Sequence, residues 1–464
     1  MNARIFYSTT LIYSIFASTS LLASEAEACK CGYDALPGSS ATKNISAQDS
    51  VSVKQEAILD SLSSVDLDSI SSVQRETITQ LVSAFEQAES ASEEEKQGFY
   101  NTISAKKNAT NANVSRRIPA TVSIGEIGKR LSSLRSKVKR NYFSQRAVRS
   151  KPRSSTVKPF NLDQNNSEIP GGLLDQRLSG FISNDNVISK QSDTSTESGF
   201  EGLNQKFVAG ADYRINNQTF AGLAIGVVNG RADMDSDGGA LVNRAGTLIS
   251  YGSYNLLPNW YVEGVVSIGS RDFKMHRKIN YTLNNSNVRA SVCSEPESSY
   301  FGLSFGSGYS KTFKNGHTLT GVLGLNQTYI TIDTFEENGC NNNSVAYSLV
   351  IGEQSITSNI LSIGGHWNQA ISTGYGVLIP QLSFNWIKEL KGDSDTIVAY
   401  FQTDPGKTRM NFKSGNKDVS FITAKFSLSI VLPKGMSGFL MFETQQFINN
   451  YQQNTISLSI RKEF

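Results

Sequence analysis

From residue 177 to the C-terminus, apolar and polar side chains take turns along one short segment after another. Phe207, Ala209, Ala211, Tyr213 and Ile215 oppose Lys206, Gly210, Asp212 and Arg214. Phe301, Leu303, Phe305 and Tyr309 oppose Gly302, Ser304, Gly306, Gly308 and Ser310, and Leu382, Phe384 and Trp386 oppose Gln381, Ser383 and Asn385. The last ten residues repeat the pattern: Ile456, Leu458, Ile460 and the terminal Phe464 share one parity, and Ser457, Ser459, Arg461 and Glu463 the other. Successive side chains of a strand point to opposite faces, so a period of two predicts strands with one greasy and one wet side. Five short connections of turn-forming residues (216–217, 256–259, 314–316, 372–376 and 433–437) alternate with six longer ones (191–200, 232–243, 281–298, 336–350, 391–416 and 448–454). Together they imply twelve antiparallel strands, the first starting near Arg177.

Alternation alone fits a soluble sandwich, with its apolar faces on a shared core, as well as a transmembrane barrel, with its apolar face on lipid. Three features select the barrel. The connections keep a strict short and long rhythm, aromatics such as Trp260, Tyr261, Tyr309, Trp367 and Trp386 fall near strand ends, and the N-terminus reads as an export signal. An even number of strands then puts both barrel ends on one side, the periplasmic side.

The N-terminal part follows another period. Arg4 precedes the apolar run Ile5–Ala23, and Ala26-Glu27-Ala28 has the spacing of a signal-peptidase site, so residues 1–28 are expected to be a removed secretory signal. Residues 29–120 are rich in Ser, Ala, Gln and Glu and poor in aromatics. Within them Ala57, Ile58, Leu62 and Val65, then Ile78, Leu81, Val82 and Phe85, recur at helical spacing, and Ser71 with Gln74 reads as a capping box. A small helical hairpin is expected, with Glu86, Glu89 and Glu93–Glu95 as a solvated acidic face.

Charge changes abruptly after that. Between Lys129 and Arg153 stand ten Lys and Arg and no Asp or Glu. Ile124, Ile127, Leu131 and Leu134 make a narrow apolar stripe on this basic segment. A nucleic-acid site would need aromatic or base-reading residues on a soluble fold, and an exported chain meets little nucleic acid. A helix lying on anionic lipid is physically open. The preferred expectation is a pore helix over 121–150, with Lys129, Arg130, Arg135, Lys137, Lys139 and Arg140 facing carboxylates in a polar lumen. Residues 151–176, with Pro152, Pro159, Pro170, Gly171 and Gly172, read as a linker to the barrel at 177–464.

These residues together resemble the autotransporter β-domain family of type V secretion. The resemblance rests on R-L-S-S-L-R in the basic helix, S-G-F in the first strand, V-A-G-A-D-Y-R-I, G-V-L-I-P-Q-L-S-F-N-W, S-G-F-L-M-F-E-T and the terminal Phe464, and it covers about residues 120–464. It implies a twelve-stranded antiparallel transmembrane β-barrel with a lumen helix, preceded by a small helical N-terminal region. It also implies placement in the outer membrane of a Gram-negative bacterium and transport or display of the chain's own short passenger, residues 29–120. Ile456, Leu458, Ile460 and Phe464 resemble the C-terminal signal that such barrels present to the barrel assembly machinery. The partners so implied are outer-membrane lipid, that machinery, the Sec translocon and periplasmic chaperones, with no nucleic acid and with any surface partner unnamed. The basic helix lacks the paired Asn at which some relatives cut themselves, since Asn165-Asn166 lies after it. An alternative from another class is a constitutive porin or surface adhesin whose loops bind a partner.

Candidate chemistry is sparse. Asp212, Glu263, Glu389, Glu443 and Glu463 have lumen parity and are candidates to meet the basic helix, or else to stand as independent solvated charges. Cys293 and Cys340, with 46 residues between them in two long connections on the outer side, are candidates for a disulfide. Cys29 and Cys31 lack nearby His or Cys partners for a metal. Only three His exist and no Ser is framed as G-x-S-x-G, so an enzyme is not expected, and no cofactor is implied. The D-M-D-S-D-G run at Asp233, Asp235 and Asp237 imitates a calcium loop, but its twelfth position is Arg244.

Overall fold

The computed structural model describes residues 51–104, 177–193, 198–235, 238–340, 345–390, 396–413 and 420–464. The signal at 1–28, Cys29, Cys31 and the basic segment 121–150 lie outside them, as does the linker at 151–176.

Twelve strands form the wall: β1 Leu178–Gln191, β2 Phe200–Arg214, β3 Thr219–Met234, β4 Gly239–Leu257, β5 Trp260–Leu283 and β6 Glu297–Thr312, then β7 His317–Ile332, β8 Gln354–Gln369, β9 Gly376–Glu389, β10 Ser420–Val431, β11 Met436–Gln446 and β12 Tyr451–Glu463. Each pairs antiparallel with the next, and the ring closes where Ile182 of β1 faces Ile460 of β12. Closure gives every strand two neighbours, which is what an apolar surrounding demands of the backbone. Both ends of the wall's chain lie at the short-turn end, where the Phe464 amide donates to the Leu178 carbonyl at 3.0 Å.

The expected parities hold on the outside. Leu223, Ile225, Leu303, Phe305, Phe384, Phe426, Leu458 and Ile460 are all exposed on the outer face. Tyr213, Tyr254, Trp260, Tyr309 and Phe313 ring the short-turn end, and Phe301, Tyr329 and Trp386 mark the other limit of this apolar band. Among the described residues no helix is long and apolar enough to cross a membrane.

The inside departs from a uniformly polar lumen. Phe181, Val208, Phe220, Ala224, Ile249, Tyr251 and Val265 form a buried apolar cluster on the inner wall of β1–β5. Tyrosines fill space above glycines here: Tyr251 is paired across the sheet with Gly222, Tyr261 with Gly308 and Tyr300 with Gly269. A Cβ on any of these glycines would enter the tyrosine ring beside it. Aromatic area is thereby buried without widening the pore.

Two connections expected to be long prove to be strand. The turn between β3 and β4 shrinks to residues near 235–238, and the 281–298 connection is a hairpin in which β5 runs on to Leu283 and returns as 286–294. Asn284 and Asn285 make its tip with φ of 46° and 67°, left-handed values that Asn tolerates and that match the twist of a two-residue hairpin. Tyr281, Leu283, Ala290 and Val292 are buried on one face of it, because something packs there.

That something is the N-terminal segment. Helices α1 Val51–Ser63, α2 Ser72–Ser90 and α3 Glu93–Ile103 lie at the long-connection end of the barrel. Ser71 and Gln74 form the expected capping box at α2. A second box, Ser92 with Glu95, starts α3, a helix not expected from the sequence; Glu93–Glu95 is its first turn, where acidic residues suit the amide end. The helices meet a four-stranded sheet ordered 410–413, 396–401, 349–351 and 335–336, built from the β7–β8 and β9–β10 connections. One hydrophobic core joins Ile58, Leu62, Leu81, Phe85, Phe99 and Ile103 of the helices to Tyr281, Leu349, Ile351, Ile397, Phe401 and Phe412 of the connections.

Candidate functional site

The lumen wall carries its own cations. Lys425 Nζ on β10 lies 2.7 Å from Glu443 on β11, so this expected carboxylate is matched by a neighbouring strand. Asp212 accepts from Ser179 Oγ at 2.6 Å and sits 3.8 Å from Arg461, which donates to Ser179 at 2.9 Å and pairs with Glu463 at 2.5 Å. Tyr251 donates to Asp212 at 3.4 Å. This network crosses the β12–β1 seam near the short-turn end. Glu263 is buried over Gly306 inside the wall. Glu389 lies at the far rim of β9, accepting from Ser358 Oγ at 2.9 Å and the Asn359 amide at 2.8 Å. The cations Lys129, Arg130, Arg135, Lys137, Lys139 and Arg140 lie outside the described residues. Ile456, Leu458, Ile460 and Phe464 line one outer edge of β12, all exposed.

At the opposite end the helices and connections make a cap whose centre is polar. Arg277 of β5 and Glu337 are 1% and 0% exposed, so each charge depends on the other. The Arg277 Nε donates to Glu337 Oε1 at 2.9 Å and Nη2 to Oε2 at 2.5 Å. The same guanidinium donates to the Tyr347 carbonyl at 2.9 Å and to the Thr102 carbonyl at 3.1 Å. Thr102 lies in the last turn of α3, whose carbonyls lack helical partners and favour a cation. One side chain thus joins the barrel wall, a surface connection and the N-terminal segment.

Other contacts cross the same boundary. Asn284 at the hairpin tip donates to the Gln87 carbonyl at 3.1 Å and to Ser90 Oγ at 3.0 Å, and the Gly406 amide donates to Ser61 Oγ at 2.7 Å. Phe99 meets Tyr281 edge-on with ring centroids 4.8 Å apart, and Phe85 meets Phe401 at 6.1 Å. The Tyr281 and Tyr347 hydroxyls share a hydrogen bond of 2.7 Å. Burial pushes the Tyr281 phenol well above its ordinary pKa and raises that of Tyr347, and burial with the nearby Glu89 and Glu93 charges raises Tyr100.

Cys293 and Cys340 form the expected disulfide, with S–S 2.03 Å and Cα atoms 6.0 Å apart. It ties the 286–294 strand to the 335–340 connection that carries Glu337. His276, the cross-strand neighbour of Cys293, lies beside it, all three ligand atoms being within 4.8 Å. Sulfurs bonded to each other are not thiolate ligands, so a metal here would require reduction first. A polar hollow of about 350 Å³ lies on the outer hairpin, lined by Asn280, Tyr281, Thr282, Asn287, Val288 and Arg289. Asp233 of the calcium-like run is held by Arg231 at 2.7 Å.

A closed ring of twelve strands with a greasy outside, aromatic girdles and a charged interior is a transmembrane β-barrel of the outer-membrane type. Its sequence matches the Autotransporter beta-domain family over residues 180–443, more than half of the chain, and the chain belongs to that family. It is an outer-membrane protein of the Gram-negative type. No curated protein sequence matches it. Among solved structures it is similar to the translocator domain of the autotransporter NalP from Neisseria meningitidis, at 12% identity and TM-score 0.49, covering 62% of this chain and 88% of that one. It is also similar to the β domain of the Bordetella autotransporter BrkA, at 12% identity and TM-score 0.43, covering 62% and 100%. The transport unit of AIDA-I from Escherichia coli matches at 12% identity and TM-score 0.41, covering 66% and 94%.

Proposed function

We propose that this autotransporter carries its own N-terminal segment across the outer membrane and displays it, as the three-helix part of a cap, on the cell surface. One observation supports the reading above others. Residue 104, the end of the helical segment, lies at the long-connection end of the barrel, while Leu178, where the wall begins, lies at the short-turn end. Barrels of this kind keep short turns in the periplasm and long loops outside. The chain between these points therefore has the height of the barrel to cover, and the lumen is the polar route for the basic stretch 129–153. The reading takes residues 1–28 to the Sec translocon and the unfolded barrel to periplasmic chaperones. It takes Ile456, Leu458, Ile460 and Phe464 to the barrel assembly machinery. It assigns the chain no catalysis; His317, for example, tilts against Trp367 with centroids 5.7 Å apart.

An epitope inserted in the exposed turn at Asp66–Asp68 tests the proposal. Antibody should label it on intact cells, and added protease should remove the label. Protection until the outer membrane is broken would refute display. The polar hollow on the outer hairpin favours a second role, as a surface adhesin, within the same topology.

A further inference from the structure

We infer that Cys293, Cys340 and His276 form a second kind of cross-link: once the disulfide is reduced, two thiolates and the imidazole hold a thiophilic d10 cation of the zinc(II) type between the outer hairpin and the 335–340 connection. Such a site is independent of display, since all three residues belong to the barrel part of the chain.

Strand pairing brings the three side chains together. His276 on β5 lies directly across from Cys293 in the returning strand 286–294, Cys293 lies across from Asn338, and the Cys340 amide donates to the Ser291 carbonyl at 3.0 Å. Their ligand atoms fall within 4.8 Å of one another. All three residues are half-buried, so an ion can reach them from solvent. Ligand atoms around a tetrahedral zinc stand roughly 3.5 Å apart. Once reduced, the sulfurs can part to that spacing by rotation about their Cα–Cβ bonds, because the Cα atoms are already 6.0 Å apart and the backbone pairing does not depend on the sulfurs.

The donor set selects the ion. Two sulfurs and one imidazole suit a soft or borderline d10 cation, which takes such ligands tetrahedrally and keeps a fourth position for water, whereas calcium and magnesium ask for oxygen. A dithiol supplies the reducing step: it gives the disulfide two electrons and two protons, frees both cysteine thiols and leaves as a cyclic disulfide. The ion then displaces those two protons to water. Two thiolates and a neutral imidazole cancel the charge of a dication. Neutrality suits this place, because Lys274 and Lys278 flank His276 on the same face of β5. The consequence is mechanical. Cys340 follows Glu337 closely in the chain and His276 immediately precedes Arg277, so an ion here keeps the Arg277–Glu337 pair clamped after the disulfide is gone.

The test uses the full chain, purified in detergent, with Cys29→Ser and Cys31→Ser so that Cys293 and Cys340 are the only cysteines. A phosphine reduces the disulfide, taking up the oxygen of one water and leaving two thiols, and is removed under inert gas. Cobalt(II), an optical stand-in for zinc(II), should then give thiolate charge-transfer absorption that saturates at one ion per chain, and zinc(II) should erase it. The unreduced protein should give none. Zinc(II) should also restore the protease resistance that residues 51–104 lose on reduction. His276→Ala should keep the disulfide, checked by a thiol count before reduction, and weaken cobalt(II) binding by about 10-fold or more. Cys293→Ser should abolish the absorption. A heat-dependent gel shift identical to wild type certifies in each sample that the barrel is folded; where reduction alone removes that shift, zinc(II) present during the phosphine step should preserve it. Absence of the cobalt spectrum from a folded, reduced protein would overturn the site, as would loss of the gel shift despite zinc(II). Affinity unchanged by His276→Ala would equally contradict the three-ligand arrangement.

Discussion

Arg461 and Ser179 stand 282 positions apart in the chain, yet the guanidinium of the first donates to the hydroxyl of the second at 2.9 Å across the seam where the barrel closes. Asp212 on the next strand accepts from the same hydroxyl, so three strands are joined by one polar chain inside the lumen. Arg461→Ala should lower the temperature of the heat-dependent gel shift, because each hydrogen bond to a charged group contributes about 1.5–3 kcal/mol. Arg461→Lys should recover only part, since an ammonium lacks the planar fork that reaches Ser179 and Glu463 together.

Removing Arg277 should be worse than removing both members of its pair. Arg277→Ala leaves Glu337 charged and buried, which costs about 3–5 kcal/mol, whereas a paired change to Met and Leu removes both charges. Limited proteolysis of the purified protein would rank the variants: rapid loss of residues 51–104 in the single variant, slower loss in the double one.

Reducing the Cys293–Cys340 disulfide should loosen the cap and leave the barrel intact. A disulfide closing a loop of this length gives as much as about 4 kcal/mol against an open chain. Here β6 and β7 already hold the loop, so the effect should fall below about 2 kcal/mol, toward the low end of the measured range. Thiol alkylation after reduction, followed by protease challenge, would show faster cap cleavage beside an unchanged gel shift.

Alkali should release the helices before it harms the wall. Tyr281 and Tyr347 are held neutral by burial, so their folded pKa values lie above the ordinary 10.0. The stability this neutrality supplies is complete below about pH 10 and drains away as pH rises through that value toward the folded one. Protease resistance of the cap should therefore fall above about pH 10. Replacing both tyrosines by Phe should flatten that alkaline limb.

The sequence made the wall legible because lipid imposes a strict alternation on every strand, as Phe301–Tyr309 and Ile456–Ile460 illustrate. Beyond the membrane that constraint lapses. The outer part of β5 runs through D-F-K-M-H-R-K and on into the stretch expected to be a connection, and nothing local marks Arg277 as the largest fully buried side chain among the described residues. The cap escaped for a related reason: its core is shared between Phe85 and Phe401, far apart in the chain, and periodicity reports only near neighbours. The third helix was readable, since Ser92 and Glu95 repeat the signature that marked Ser71 and Gln74. The disulfide needed only the position of two cysteines on one side of the barrel.

The small outer sheet takes its strands from two different connections, 335–336 and 349–351 from one, 396–401 and 410–413 from the other. Neither can be exchanged for a foreign peptide without spoiling the edge its neighbour leans on. Grafting and evolutionary drift should instead concentrate at the bend near 447–450, which lends no strand to that sheet.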